Sequence, residues 1–531
     1  MVAPKSIPPY LPRLAVLYDL PDEDVRDKAA RAAASVRRLA DLWERNGTDA
    51  AAVLRALRHI AKRHAVRMPD KAGVAERINR MCDAGWWRRA LHYRFKAVEL
   101  HQIQTGAVHS KASPYVSDKA LRRHERHAAR LVAQMAALEA VNQKTGEVIA
   151  MPDLIEASLS NPTHRRNALM ARIKGIEASA KAKGHIGLFL TLTCPSRMHA
   201  RLGKTGAPNE TYDGTFPGRA HSYLRRVWSN ALREAAHQDL TPYGLRVVEP
   251  HHDACPHWHV LAFVAADQAD TLSAIVRRHA LRDSPNEPGA QVRRFTVERI
   301  DPSKGSAVGY VAKYVSKSID GEGVDKDNES DGTGQATARR QIAWARTWGI
   351  RQFQFFGVPP ITPTRELYRV AGETLPGNAL AELHAACKAN DYAAWLAAVE
   401  AHGLRLSVDY SERPSTRYRG EVSKAIQGLR IEGGDVSGAL QLTTRCDTWQ
   451  IVPKATTAPA AAEGGSAGPT PEPPWTRFNN SAPVDFKDLF PGALPEGVEE
   501  WGEEEEEGRC PAPGTATRCR TRPLEISRGA A

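Results

Sequence analysis

The sequence predicts an α+β protein in which several strands share one sheet with helices packed on it. Three observations lead there. Residues 1 to about 180 read mostly as helix. From Gly184 onward short β-runs alternate with helical stretches, the mixture expected of a sheet covered by helices. From about Pro453 the composition collapses into Ala, Pro, Gly, Ser and Thr, which holds too little apolar content for a core.

Taken in order, Asp22 to Arg45 is rich in Ala, Arg, Leu and Glu and predicts a helix. Trp86-Trp87-Arg88-Arg89 reads either as a helix face buried by two indoles or as a DNA-facing surface. Ser117 and Asp118 can cap a helix in which Leu121, Ala128, Leu131, Met135 and Leu138 recur at helical spacing. Strands are predicted over Ile186 to Thr193, Tyr243 to Glu249, His257 to Val264, Gln291 to Val297 and Arg351 to Phe355. Helices are predicted over His221 to His237 and Thr271 to Leu281. The Gly/Asp-rich stretch Gly321 to Gly334 reads as a mobile loop, and the Ala-rich residues 376–401 as helix. The regions follow: helical and DNA-binding over 1–180, the sheet domain over 181–365, helical over 366–452, and a disordered tail over 453–531 that includes the acidic run Glu503 to Glu507.

The chain has 531 residues, with Lys+Arg 73 against Asp+Glu 61 and a formal charge of +12. That excess favours a polyanionic partner, nucleic acid above all. No run of about 18 apolar residues exists, so no membrane span is predicted. The N-terminus lacks the layout of a signal peptide. Seven cysteines, Cys82, Cys194, Cys255, Cys387, Cys446, Cys510 and Cys519, form no CxxC pair. That odd, dispersed set argues for a reducing cytoplasm and against both a disulfide scaffold and a cysteine zinc ribbon.

Two constellations carry chemistry. The first is Glu249-Pro-His-His-Asp-Ala-Cys-Pro-His257-Trp-His259. On a strand His257 and His259 point the same way, about 7 Å apart along the chain, with Trp258 on the opposite face. Two imidazoles so placed can hold one ion. Glu249 ends the preceding strand, and a short return loop brings its carboxylate beside them. His251, His252 and Asp253 crowd the same loop and compete for the third-ligand role. Imidazole plus carboxylate suits Mg²⁺ or Mn²⁺, and zinc is also compatible. The plain alternative is a pair of hydrogen-bonded core histidines.

The second is Gly309-Tyr310-Val-Ala-Lys313-Tyr314-Val-Ser-Lys317-Ser318. Helical spacing places Tyr310, Lys313, Tyr314 and Lys317 on one face and Val308, Val311, Ala312, Val315 and Ile319 on the other. The plain alternative is a tyrosine pair with buried rings and hydroxyls at the rim. The interleaved lysines favour a phenolate and pair with phosphate. Together the two constellations suit attack of a tyrosine oxygen on a phosphodiester beside a metal. Tyrosine's ordinary pKa of about 10 demands activation. Lys313, Lys317 and the metal are the available sources.

Phe189-Leu-Thr-Leu-Thr193, Pro256-His-Trp-His259 and Tyr310-Val-Ala-Lys-Tyr314-Val-Ser-Lys317 resemble the three ordered motifs of the HUH rolling-circle replication initiators. Histidines before tyrosines resemble the Rep branch rather than the relaxase branch. Trp86-Trp87-Arg88-Arg89, Ser160 to Arg166, Glu249-Pro-His-His252, Trp344 to Phe353 and Arg419 to Lys424 are similar to the replication gene A proteins of temperate tailed phages. The resemblance spans about residues 75–430. It implies a palm-like central antiparallel sheet flanked by helices, with His257 and His259 on a central strand and Glu249 as third ligand of a divalent metal. It implies Tyr310 and Tyr314 as nucleophiles that nick single-stranded DNA at a replication origin and hold the 5′-phosphate. The free 3′-OH would prime a host polymerase, with a host Rep-type helicase as a further partner, in the host bacterial cytoplasm. No GxxxxGK[ST] loop occurs, so no helicase within the chain is expected. Two other readings compete. A nucleotide hydrolase of the histidine-triad kind fits Pro256-His-Trp-His-Val-Leu, but position 261 is Leu where that pattern needs a third histidine. A non-catalytic DNA-binding protein fits the charge but has no need of the HxH pair.

Overall fold

The computed structural model describes residues 22–454 apart from 65, 72, 204, 304, 326, 328–331, 371–374, 376, 416, 417, 419, 420 and 435–437. The predicted tail, apart from its first two residues, lies outside them.

Among the described residues the N-terminal region holds α1 (Asp22–Arg45), α2 (Ala50–Arg63), α3 (Val74–Met81) and α4 (Ala84–Thr105). Their apolar faces close on one core that contains Val36, Leu57, Met81, Trp87 and Phe95. Trp87 is fully buried, and its indole N–H donates to the Met81 carbonyl at 2.6 Å. Trp86 packs edge-on against it at 4.9 Å between ring centroids. In this structure the indole pair builds the helical core. Helix α5 (Asp118–Ala136) starts where Ser117 accepts from the Ala120 N–H. The hairpin β1 (Leu138–Asn142) and β2 (Val148–Ala150), then α6 (Met151–Glu156) and α7 (Pro162–Ala182), complete the region.

The sheet domain holds β3 (His185–Thr193), α8 (Pro217–His237), β4 (Tyr243–Pro250), β5 (Pro256–Ala265), α9 (Ala269–Ala280) and α10 (Ala290–Arg293). It continues with β6 (Phe295–Arg299), α11 (Ala307–Lys317), α12 (Gly334–Trp348) and β7 (Phe353–Phe356). These strands form one five-stranded antiparallel sheet in the order β6-β3-β5-β4-β7, with β5 in the middle. Both faces are covered, which is why the central strands read as nearly unbroken apolar runs. Leu188, Leu190, Trp258, Val260 and Ala262 face α8, α9 and α12. Phe189, Leu245, Val247, Leu261 and Phe263 face the other core, shared with α7, α11 and the C-terminal helices. The alternation predicted for Trp258 against His257, His259, Leu261 and Phe263 is thereby observed.

After the sheet come α13 (Ile361–Tyr368), α14 (Asn378–Lys388), α15 (Tyr392–Ala401), β8 (Arg405–Pro414), β9 (Val422–Glu432), β10 (Ala439–Thr443) and β11 (Trp449–Pro453).

Three local expectations differ from the structure. Gln291 to Val297 is not all strand. A helical turn occupies Ala290–Arg293, and β6 begins at Phe295. The turn is fixed by buried Arg294, which donates to Tyr223 Oη at 3.0 Å, the Ala280 carbonyl at 2.7 Å and Glu287 at 2.9 Å. Residues 366–452 are helical only as far as Ala401. Beyond that β8, β9 and β10 form an antiparallel sheet, because Leu406, Val408, Leu429 and Ile431 alternate with polar neighbours. The first 180 residues also carry a hairpin, and β1 pairs with β11 from the far end of the described chain, Leu138 opposite Pro453. Among the described residues, no helix is long and apolar enough to cross a membrane.

Candidate active site

Three rows of side chains cross one face of the sheet. Strand register puts Glu249 opposite His257, His259 between Thr191 and Val247, and Phe189 between Glu298 and Leu261. Residues directly opposite on paired strands share a face, so Glu249, His257 and His259 converge without any loop having to place them. The turn between β4 and β5 is tight: the His251 N–H donates to the Cys255 carbonyl at 2.7 Å, and Ala254 takes a positive φ of 72°.

The donor atoms of Glu249, His257 and His259 all lie within 4.8 Å of one another. The two Nε2 atoms face each other at 3.0 Å. His259 Nε2 is 3.9 Å from Glu249 Oε2. Two nitrogens bound at right angles to one ion, each about 2.1 Å from it, stand about 3.0 Å apart. The imidazole pair therefore fits a divalent ion. Thr191 Oγ1 lies 3.2 Å from His259 Nδ1 and fixes that ring with Nε2 turned inward.

All three residues are buried. Burial, and then the positive surroundings of His251, Lys313 and Lys317, pushes His259 down to about 3. Burial likewise holds His257 well below the ordinary histidine range, with His251 and His259 adding to it. Both rings are neutral at pH 7, as ligation requires. On the other face, burial and the charges of Arg246 and Arg225 push His221 down to about 3. The unfolded chain binds protons at these histidines below about pH 6.5, whereas the folded chain does not. Stability is full above that pH and is lost on acidification. We expect the thermal midpoint to fall steadily from pH 6.5 towards pH 4, with a shallower fall in His221→Gln. A midpoint level across that range would contradict these shifts.

Of the competing ligands in the β4–β5 turn, Asp253 is engaged elsewhere. Asp253 Oδ2 meets His199 Nδ1 at 3.2 Å, and its Oδ1 accepts from the Cys255 N–H at 3.1 Å. Burial opposes its ionisation, but His199, His252 and His251 outweigh that and hold the carboxyl well below its usual range. His251 stacks on His257 at 4.0 Å between centroids and presents a face rather than a ligand atom. The only three-residue metal-ligand group among the described residues is Glu249, His257 and His259. Sequence reading missed His199, which is 54 positions from its partner Asp253.

Helix α11 lies over the same face. Ser306 caps it by accepting from the Gly309 N–H at 3.2 Å. The Glu177 carboxylate on α7 accepts from the N–H groups of Ala307 and Val308 at 3.1 and 3.2 Å, which suits the positive end of the helix. Ala307, Val311 and Val315 are buried. Tyr314 stacks on His259 with 4.0 Å between ring centroids and on Phe189 at 5.5 Å. Tyr310 meets Phe189 at 6.2 Å. The phenols thus reach the sheet as well, and Phe189 is the floor they share.

The lysines behave differently from each other and from expectation. Lys313 is exposed, with Nζ 4.8 Å from the centre of the Tyr314 ring. Lys317 is paired to the buried Asp327 carboxylate, which also accepts from Tyr115 Oη. Asp327 belongs to the segment predicted to be a mobile loop, of which residues 326 and 328–331 lie outside the described residues. The lysines do not prevail over the phenols' surroundings. Burial, reinforced by Glu249 and Glu298, pushes Tyr314 up to about 12, and Lys317 offsets only part of that. Desolvation and a hydrogen bond to Glu298 raise Tyr310.

The comparisons with known proteins bear on this geometry. The family model described as bacteriophage replication gene A protein matches residues 19–322, more than half the chain and inclusive of the triad and both tyrosines. The replication gene A protein of Escherichia phage 186 is 34% identical over 411 residues, covering 75% of this chain and 59% of that protein. A probable replication endonuclease from a prophage-like region of Salmonella paratyphi A is 34% identical over 447 residues, 79% of this chain and 54% of that protein. The replication protein of Haemophilus phage HP1 is 34% identical over 397 residues, 72% and 50% respectively. The chain thus spans between half and three-fifths of the length of these relatives. No solved structure matches it. Matched over most of its sheet domain and all of its candidate site, the chain belongs to the bacteriophage replication gene A protein family.

Proposed function

We propose that this protein is a replication initiator that nicks single-stranded DNA at a phage origin by tyrosine transesterification. The observation that carries this reading is the stacking of Tyr314 on His259, 4.0 Å between ring centroids, beside the facing Nε2 atoms of His257 and His259. It supports the reading because a phenol then stands beside the only group of convergent candidate metal ligands among the described residues. The printed names of the relatives, replication gene A protein and replication endonuclease, agree with it.

In this mechanism Glu249, His257 and His259 would hold a divalent ion, Mg²⁺ or Mn²⁺. When bound, that ion draws electron density from the phosphate and neutralises charge in the transition state. The phenolic oxygen of Tyr314 or Tyr310 attacks phosphorus. A tyrosine O–P bond forms, the bond from phosphorus to the 3′-oxygen breaks, and the proton released by the phenol must leave. Glu298, whose carboxylate raises the Tyr310 pKa, would take it from that residue. The products are a 5′-phosphotyrosine ester and a free 3′-OH, which primes a host polymerase with strand opening by a host helicase. The second tyrosine later cleaves the regenerated junction. The new 3′-OH then attacks the first ester, freeing that tyrosine and closing the displaced strand.

The test is a 5′-end-mapped, labelled origin oligonucleotide incubated with Mn²⁺ or Mg²⁺ and run on a denaturing gel. The parent protein is expected to give a covalent adduct, and Tyr310→Phe/Tyr314→Phe none. An adduct of equal yield in the double variant removes the tyrosine chemistry. Nucleotide turnover without any adduct would point to a hydrolase instead.

A further inference from the structure

Arg246 stands on β4, three residues before Glu249, and its side chain is on the opposite face of the sheet from the triad. It pairs in register with Val260 on β5 and Gln354 on β7. It is only 5% exposed, and its guanidinium carbon lies 4.0 Å from the centre of the Trp258 ring. That indole is itself fixed, since its N–H donates to His221 Nδ1 at 3.3 Å.

A buried guanidinium ordinarily has a carboxylate or carbonyl to receive its N–H groups. Among the described residues Arg246 has none, and its Nε is closed off from solvent with no acceptor. Two more buried donors, on the segment that leads into the neighbouring strand β7, also lack an acceptor. They are Trp348 Nε1 at the end of α12 and Gln352 Nε2 immediately before β7, next to Val248 through the bond from Val248 N–H to the Gln352 carbonyl at 2.8 Å. The charges that bear on Arg246 are Arg225 on α8 and Arg351, both positive. Burial first, then these two, brings its pKa down to about 9. Arg225 and Arg351 are exposed, and their charges reach Arg246. Arg246 thus lies on Trp258 with two further cations acting on it, one from α8 and one from the segment before β7, and no anion. The group that satisfies a planar fork of this kind is a phosphate.

We infer that Arg246, with the charges of Arg225 and Arg351, binds a backbone phosphate of the DNA strand on the side of the sheet away from the triad. This rests on the DNA reading above. Three residues of strand separate Arg246 from Glu249, about 10 Å. The phosphate held here is therefore not the one cleaved, and the site anchors a second stretch of the strand.

The experiment is binding of a fluorescein-labelled single-stranded oligonucleotide to the full chain in EDTA, followed by anisotropy across a salt series. Cleavage is not needed, so the outcome is independent of whether the tyrosines react. For Arg246→Gln and Arg225→Gln we expect weaker binding, several-fold at 100 mM salt, and a salt slope smaller by about 0.7, the value for one phosphate on a single strand. Arg225→Glu is expected to weaken binding further. Because Arg225 is exposed, its variants report even if Arg246→Gln fails to fold. Unchanged affinity and slope in the Arg225 variants overturn the proposal. So does a second result: inorganic phosphate raising the parent's thermal midpoint but not that of Arg246→Gln, while both bind the oligonucleotide equally. That would make the site one for a free anion.

Discussion

His257→Ala and His259→Ala are each expected to lower nicking by about 10³-fold or more while leaving single-stranded DNA binding in EDTA within about twofold. The separation follows from the geometry. The facing Nε2 atoms at 3.0 Å supply two of the three donors, and neither ring is at the protein's cationic surfaces. Removing either leaves a carboxylate and one imidazole, a weak site for a hard ion. Calorimetric titration with Mn²⁺ should show the same loss without any DNA present. Thr191→Val is a graded control. It keeps both rings and removes only the partner of His259 Nδ1, so a loss of about 10- to 100-fold is expected. Nicking within tenfold of the parent in both alanine variants, with folding confirmed by circular dichroism, would show that these histidines are structural.

Much of this site was legible because its information is local. Alternation along Pro256 to Val264 sets His257 and His259 on one face and Trp258 on the other. The short turn back from Glu249 leaves antiparallel pairing as the natural outcome, so a carboxylate opposite His257 follows from counting residues. Helical spacing similarly put Tyr310 and Tyr314 together. The failures are cases where a distant partner decides. Nothing near Arg294 announces that it will be buried among Tyr223, Ala280 and Glu287, and that burial is what turns Gln291 to Arg293 out of the strand. Lys317 looked available to a phenol because Asp327 is ten residues away in a Gly/Asp-rich loop, yet their buried pairing commits the ammonium elsewhere. The phenol shifts went the other way from expectation for the same reason. Proximity of lysines can be read from spacing, whereas burial against Phe189 and the sign of Glu249 and Glu298 can be weighed only once the sheet is assembled. The strands after Ala401 were missed although Leu406 and Val408 alternate, because the preceding Ala-rich helices set the reading of the whole segment.

The two tyrosines are expected to be unequal. Tyr314→Phe should slow the first nick by about 10²-fold, whereas Tyr310→Phe should leave it within about tenfold of the parent, and circle closure should fail in both. Tyr314 is the ring stacked on His259, and its oxygen is close enough to Glu249 for that carboxylate to raise its pKa. Tyr310 lies one helical turn earlier, beyond Phe189, where Glu298 on the edge strand β6 raises its pKa. The phosphate nearest the triad is therefore nearest Tyr314. Phenylalanine keeps either ring in place, so the change isolates the oxygen. Closure needs one oxygen to hold the first 5′ end while the other cleaves the regenerated junction, and a single phenol cannot do both at once. Mass spectrometry of the peptide left on the 5′ end should find Tyr314 carrying the nucleotide in the parent's first turnover. Attachment there to Tyr310, or circles formed at parental yield by either single variant, would mean that distance from the triad does not set the order of attack.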